Sequence, residues 1–241
     1  MWAFSLEGRV FEIEGRILKV EEQFSEVLDR RMGQRHVLAK ARNTVTRLSF
    51  FIKIRYELNP KEFAFEDPTE ILSIAEQHYC HEVQAAMLLA EKGFGPKYAA
   101  HETQDQPEWM PFPGGYVDFL VLHPPFGENV NKIQPELSNR QLASIRTQLA
   151  RILETLRTND YQLVMQHPSY LNYDVQTDKL YLIDLDGLAY TDSTSSTSFP
   201  VDEASPFVEA FNIWRAPYRK PTTAPGPEPV KAMPPSNQSN K

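Results

Sequence analysis

His78, Cys80 and His81 form the tightest cluster of metal-capable side chains in this 241-residue chain. On a helix, His78 and His81 share one face, which is how two imidazoles begin a metal site. No third ligand accompanies them, so ordinary packing is the reading taken. Cys80 is the sole cysteine, so neither an intrachain disulfide nor a thiolate cage can form, and a reducing, cytoplasmic setting is expected. Nucleophilic hydrolysis finds no G-x-S-x-G turn to support it. Phosphate-cradling loops are absent too. The glycines, about 4% of residues against roughly 7% in ordinary chains, never assemble into G-x-G-x-x-G or G-x-x-x-x-G-K.

Hydrophobic residues make up 41% and aromatics 11%, enough for a real core, and the net charge is −7. That acidity argues against nucleic-acid backbones and anionic membrane surfaces as partners. No apolar run approaches the roughly 20 residues of a membrane span, and the opening MWAFSLEGRV meets an acid too early for a secretory segment. Six of the 19 prolines fall in residues 218–241, a stretch with four basic side chains, one acid and almost no large apolar ones. It is expected to be a disordered tail, leaving −10 on residues 1–217.

The elements that must position any site follow from periodicity. Between residues 9 and 58, RVFEIEG, RILKV, HVLAKA and RLSFFIKIRY predict antiparallel strands. Asp67-Pro68-Thr69-Glu70 supplies a cap, a first-turn proline and acids, and the apolar spacing through Leu89 ends at Gly93, predicting one long helix or two consecutive ones. Tyr116–Leu122 reads as a buried strand broken by His123-Pro124-Pro125. Ser138 caps a second helix whose stripe is Leu142, Ile145, Leu149, Ile152, Leu153 and Leu156, with its arginines on wetter faces. Tyr161–Met165 and Lys179–Leu185 predict two short strands flanking a loop that holds Pro168, Asn172 and Asp174. Ala204–Trp214 adds at most a short helix. The class is α+β, in two layers or lobes.

In this order, five segments over roughly residues 16 to 190 resemble the protein-kinase-like phosphotransferase superfamily, in its small, degenerate or aminoglycoside-phosphotransferase-like form. The segment 50-FFIKI-54 resembles the strand whose lysine, here Lys53, neutralises nucleotide phosphates. Glu82, on a helix that ends in Gly-x-Gly-Pro, resembles the carboxylate that pairs with it. The segment 119-FLVLHPPFGENV-130 resembles the hinge that lines an adenine pocket, which implies Leu122, His123 and Glu128 as nucleotide contacts. The pair 165-MQHPSYLN-172 and 182-LIDLDG-187 resembles the catalytic loop and the metal-binding aspartate. Asn172 and Asp184 are then Mg²⁺ ligands, with Asp186 a substitute or second one. The resemblance implies a two-lobed kinase-like fold: a strand-rich N-lobe over 1–118, a hinge and truncated helical C-lobe over 119–217, and the tail 218–241.

Four departures accompany it. Counting back from Asn172, the position of the catalytic aspartate holds His167, which can accept a proton but carries no negative charge to hold a hydroxyl. Between Gly15 and Lys53 only Gly33 is available to cover phosphates; it lies among Arg30, Arg31 and Arg35, read as a solvated hairpin. Pro124 falls where a hinge N–H would meet adenine. Few residues separate Asp184 from the tail, so the second lobe is expected to be abbreviated and without a peptide platform.

Two expectations result. The first is a pseudokinase: a nucleotide-sensing or protein-interaction module with little or no phosphoryl transfer, binding ATP and Mg²⁺ weakly or not at all, with an unknown protein partner or small-molecule substrate. The second is an active phosphotransferase acting on a metabolite or protein hydroxyl, with His167 as an unusual base. The run Ser193–Ser198 sits where such proteins carry a regulatory segment.

Overall fold

The computed structural model describes residues 2–196 and 198–214; the expected tail over 218–241 lies outside them. Six antiparallel strands form one sheet: β1 (Val10–Ile13), β2 (Arg16–Asp29), β3 (Gln34–Asn43), β4 (Ser49–Glu57), β5 (Tyr98–Asp105) and β6 (Tyr116–Leu122), in the order β1-β2-β3-β4-β6-β5. The sheet curls until its two edges approach: the Gln104 amide donates to the carbonyl of Glu12 and the Glu14 N–H donates to the Glu102 carboxylate.

Alternation along β4 decides what each face does. Phe50, Ile52, Ile54 and Tyr56 point into the curl, where they meet Phe11, Ile13, Leu18, Val37, Phe119 and other apolar side chains in a closed core. Lys53 and Arg55 take the opposite face, against helix α1 (Pro68–Lys92).

That helix is a single 25-residue element. The Asp67 carboxylate accepts from the N–H groups of Thr69 and Glu70, Pro68 occupies the first turn, and Gly93 ends the helix at φ +68°, a left-handed conformation that glycine adopts without strain. Its buried stripe is Ala75, Tyr79, Glu82, Val83, Ala86 and Leu89. The Tyr79 hydroxyl donates to the carbonyl of Phe119 at 2.7 Å, pinning the helix to β6.

A second core gathers the lower part of α1, the outward side chains Leu120 and Leu122 of β6, and the chain beyond. After β7 (Glu128–Asn129) and the single turn α2 (Val130–Ile133), the capped helix α3 (Asn139–Arg157) contributes all six expected stripe residues. Each such burial is worth about 1.5–3 kcal/mol. Val208 of the short α4 (Pro206–Glu209) closes the same core with Phe211 and Ile213.

The expected strand Tyr161–Met165 is shorter, β8 (Tyr161–Leu163), and the expected loop before Lys179 contains a strand, β9 (Leu171–Asp174). This pairs with β10 (Lys179–Leu182), while β8 pairs with β11 (Leu188–Tyr190). Segments of three or four residues carry too little alternation to announce themselves; their pairing comes from the surrounding fold. The Asp174 carboxylate accepts from the Gln176 N–H and so shapes the β9–β10 turn. Among the described residues no helix is long and apolar enough to cross a membrane.

Candidate functional site

Lys53, Glu82 and Asp184 converge where β4, α1 and the end of β10 meet. Lys53 Nζ donates to Glu82 Oε1 and, at 2.8 Å, to Asp184 Oδ1. The second oxygen of Glu82 accepts from Arg55, two residues along β4 and therefore on the same face as Lys53. The side chains of Glu82, Arg55 and Lys53 are 2%, 9% and 11% exposed, and that of Asp184 21%, so the cluster opens toward Asp184.

Electrostatics follows the geometry. Burial alone would push the Glu82 carboxyl up, but the Arg55 and Lys53 cations outweigh it and hold the group below its usual range. Burial would likewise lower Lys53, and the carboxylates of Asp184 and Glu82 instead raise it. Asp186 is raised, chiefly by burial, and lies in the field of Lys53 and Asp184. The backbone N–H of Asp186 donates to Asp184 Oδ1 at 3.1 Å, fixing that carboxylate. His36, opposite Arg55 on β3, is depressed to about 3 by burial and by the Arg55 and Lys53 charges.

The turn Asp184–Gly187 is held by close backbone approach. Gly187 has φ +74°, a Cβ there would fall 2.7 Å from Met165 Cγ, and its carbonyl accepts from the Val164 N–H. This seats the 165–172 segment beside the aspartates. His167 is exposed at the start of a turn; its Nδ1 lies 2.6 Å from Ser169 Oγ and accepts from the Ser169 N–H. Tyr170 sits in the field of Asp186 and Asp184, and burial together with those charges pushes its phenol up to about 12. Asn172, buried on β9, has its Oδ1 3.5 Å from Asn129 Nδ2, which donates at 2.7 Å to the carbonyl of Ser169.

Of the three predicted nucleotide contacts, Leu122 lies beside the Lys53 cluster. Leu122 borders a residual space of 10 Å³ with Lys53, Glu82, Leu120, Leu182 and Leu185, room for about one water. The His123 N–H donates to the carbonyl of Lys97 at 2.8 Å, and its ring lies 5.1 Å from that of Phe50. Glu128 is exposed and pairs with Tyr173. Arg31 pairs with Asp29 inside its own hairpin and Arg35 with Glu26. His81 stacks on Tyr190, and no group of three or more metal-capable side chains is found among the described residues. Along the Ser193–Ser198 run, Arg157 donates to Ser198 Oγ; Thr197 lies outside the described residues.

Sequence reasoning missed Arg55, His36 and Tyr170. Arg55 was within reach, because residues i and i+2 of a strand share a face and Lys53 had already been singled out.

No protein-family model matches the chain, and no curated protein sequence matches it. Among solved structures it is similar to vaccinia related kinase 3, with a TM-score of 0.48 and 17% identity over 82% of this chain and 56% of that one. It is also similar to the Cydia pomonella Granulovirus kinase PK-1, with a TM-score of 0.45 and 13% identity over 72% and 52%. The chain thus spans about half the length of each of these two structures.

Proposed function

We propose that this chain is a degenerate member of the two-lobed protein-kinase-like class, a nucleotide-sensing or protein-interaction module with little or no phosphoryl transfer. The reading rests on one observation: a strand lysine, a helix glutamate and an aspartate past a later strand, far apart in sequence, meet around one ammonium group. Such a lysine neutralises phosphate charge when its carboxylate partner holds it in place.

Loss of transfer is argued from what surrounds that group. His167 stands where a carboxylate would orient a hydroxyl, and its Nδ1 is engaged with Ser169. His123 has its N–H committed to Lys97, and Pro124 has none, so neither offers adenine a donor. Magnesium is usually held by one or two carboxylates with phosphate oxygens completing the shell. Asp184 and Asp186 suit that mode, in which the nucleotide and the metal arrive together.

The alternative, an active phosphotransferase, draws on Lys53, Glu82, Asn172 and Asp184, with Lys53 on the phosphates, Asn172 and Asp184 toward Mg²⁺ and His167 Nε2 as proton acceptor. Calorimetry with Mg²⁺ and ATP, followed by ATP turnover on wild type and His167→Ala, separates the two. Weak binding without turnover is expected. Tight binding with turnover abolished by His167→Ala would establish the enzyme instead.

A further inference from the structure

Away from the Lys53 cluster, the first turns of α1 stand off the sheet and leave an open groove of about 480 Å³ over β5 and β6. We propose that this groove is a binding site for a small alkylammonium ligand, with its charged end on Asp118 and Glu76 and its alkyl body along Leu72.

Asp118 carries the argument. Only 3% exposed, it forms part of the groove floor; its Oδ1 accepts from Thr103 Oγ1 at 2.7 Å, while its buried Oδ2 has no hydrogen-bond partner. A buried carboxylate oxygen without a donor is costly. The reason lies on the neighbouring strand. Arg55 stands directly opposite Asp118 in the β4–β6 ladder, but its guanidinium is engaged with Glu82. Burial drives the Asp118 carboxyl up to about 6 against the opposing pull of Thr103 and Arg55, and Glu76 adds to the rise. Two acids therefore face one groove in want of a cation.

The chemistry of that cation follows from the lining. Glu76 and Ser73 on α1 supply further oxygens around the opening, while Leu72 and Tyr116, whose hydroxyl accepts from Gln34 Nε2, supply walls. An ammonium brings three donors and can satisfy Asp118, Glu76 and the Ser73 hydroxyl together. Asp118 and Glu76 are the two carboxylates among the lining residues, no group of three or more metal-capable side chains occurs among the described residues, and the apolar wall of Leu72 suits an alkyl body rather than a bare hydrated ion. The volume lies within the range of small-molecule sites.

The test uses the full chain with 1,4-diaminobutane and n-butylamine as probes, 1-butanol as the neutral counterpart and MgCl₂ as the inorganic one, read by calorimetry and melting temperature. Both amines are expected to bind and raise the melting temperature. Asp118→Asn is expected to lose about tenfold or more in affinity, the value of a charge-assisted bond. Ser73→Trp, at an exposed helix position on the rim, is expected to block the groove while leaving Asp118 intact. Equal affinity in folded Asp118→Asn, equal binding of 1-butanol, saturation by Mg²⁺ instead, or no response to millimolar amine would overturn the proposal. Should Asp118→Asn not fold, binding retained by Ser73→Trp would do so. None of these readouts depends on nucleotide binding.

Discussion

Lys53 and Asp184 meet at 2.8 Å although 131 positions separate them in the chain. The contact ties the curled sheet to the strands below it, and Glu82 locks the same ammonium from the helix side. One lysine thus joins three elements, with Arg55 neutralising the rest of the Glu82 charge.

Glu82→Gln removes the anion that both cations share in a buried setting. Breaking such a cluster from one side costs about 3–5 kcal/mol, and urea unfolding should show a loss of that order. A loss below about 1 kcal/mol, the worth of an exposed pair, would mean that the cluster is not held as described.

Acid should destabilise the protein in a way traceable to His36. Its folded pKa, about 3, lies below the unfolded value of 6.5, so between them the unfolded chain binds more protons and stability falls as the pH drops. At pH 5 this amounts to about 1–2 kcal/mol. His36→Gln, which keeps a donor for Gln34, should flatten the stability profile from pH 6.5 to 5. An unchanged slope would show that the half-buried imidazole is not held neutral. Glu82 adds a further loss below its unfolded value near 4.5, because its folded pKa is lowered.

Gly127→Ala should be severe. The residue has φ +77°, and a Cβ would lie 2.5 Å from backbone atoms of Tyr173 and Asp174, which cannot yield as a flexible side chain could. Strain and overpacking together should cost about 3 kcal/mol or more, measured as a fall in melting temperature. A neutral outcome would refute the close approach of this turn to β9.

Ser138→Ala should cost about 1 kcal/mol. Ser138 Oγ accepts from the Gln141 N–H while the Gln141 side chain accepts from the Ser138 N–H, a reciprocal cap on α3. Chemical denaturation reads the difference. Ser138→Asp, which restores an acceptor, should recover most of it.

Long, strongly periodic elements were legible from residues alone. Asp67 and Gly93 bound α1 as their cap chemistry requires, and the stripe from Leu142 to Leu156 is buried as its spacing requires. The partners of β8, β9, β10 and β11 were not legible, because strands of three or four residues are selected by distant neighbours. At the site, Lys53, Glu82 and Asp184 were singled out and the structure joins them. The side chain of Asn172 meets Asn129, and His123 spends its N–H on Lys97.

Sequence by itself determined the local geometry: which side chains of β4 share a face with Lys53, where α1 starts and stops, and that a histidine stands at position 167. Those are consequences of periods and caps that act within a few residues. Only the tertiary structure decided charge neighbourhoods. That Arg55 goes to Glu82 and leaves an oxygen of Asp118 without a donor depends on how α1 crosses β4 and β6. Electrostatic pairing acts over a few ångströms of space regardless of distance along the chain; spacing puts Arg55 on the face of Lys53, but which acid each cation meets, and which oxygen of Asp118 goes without, is set by the crossing.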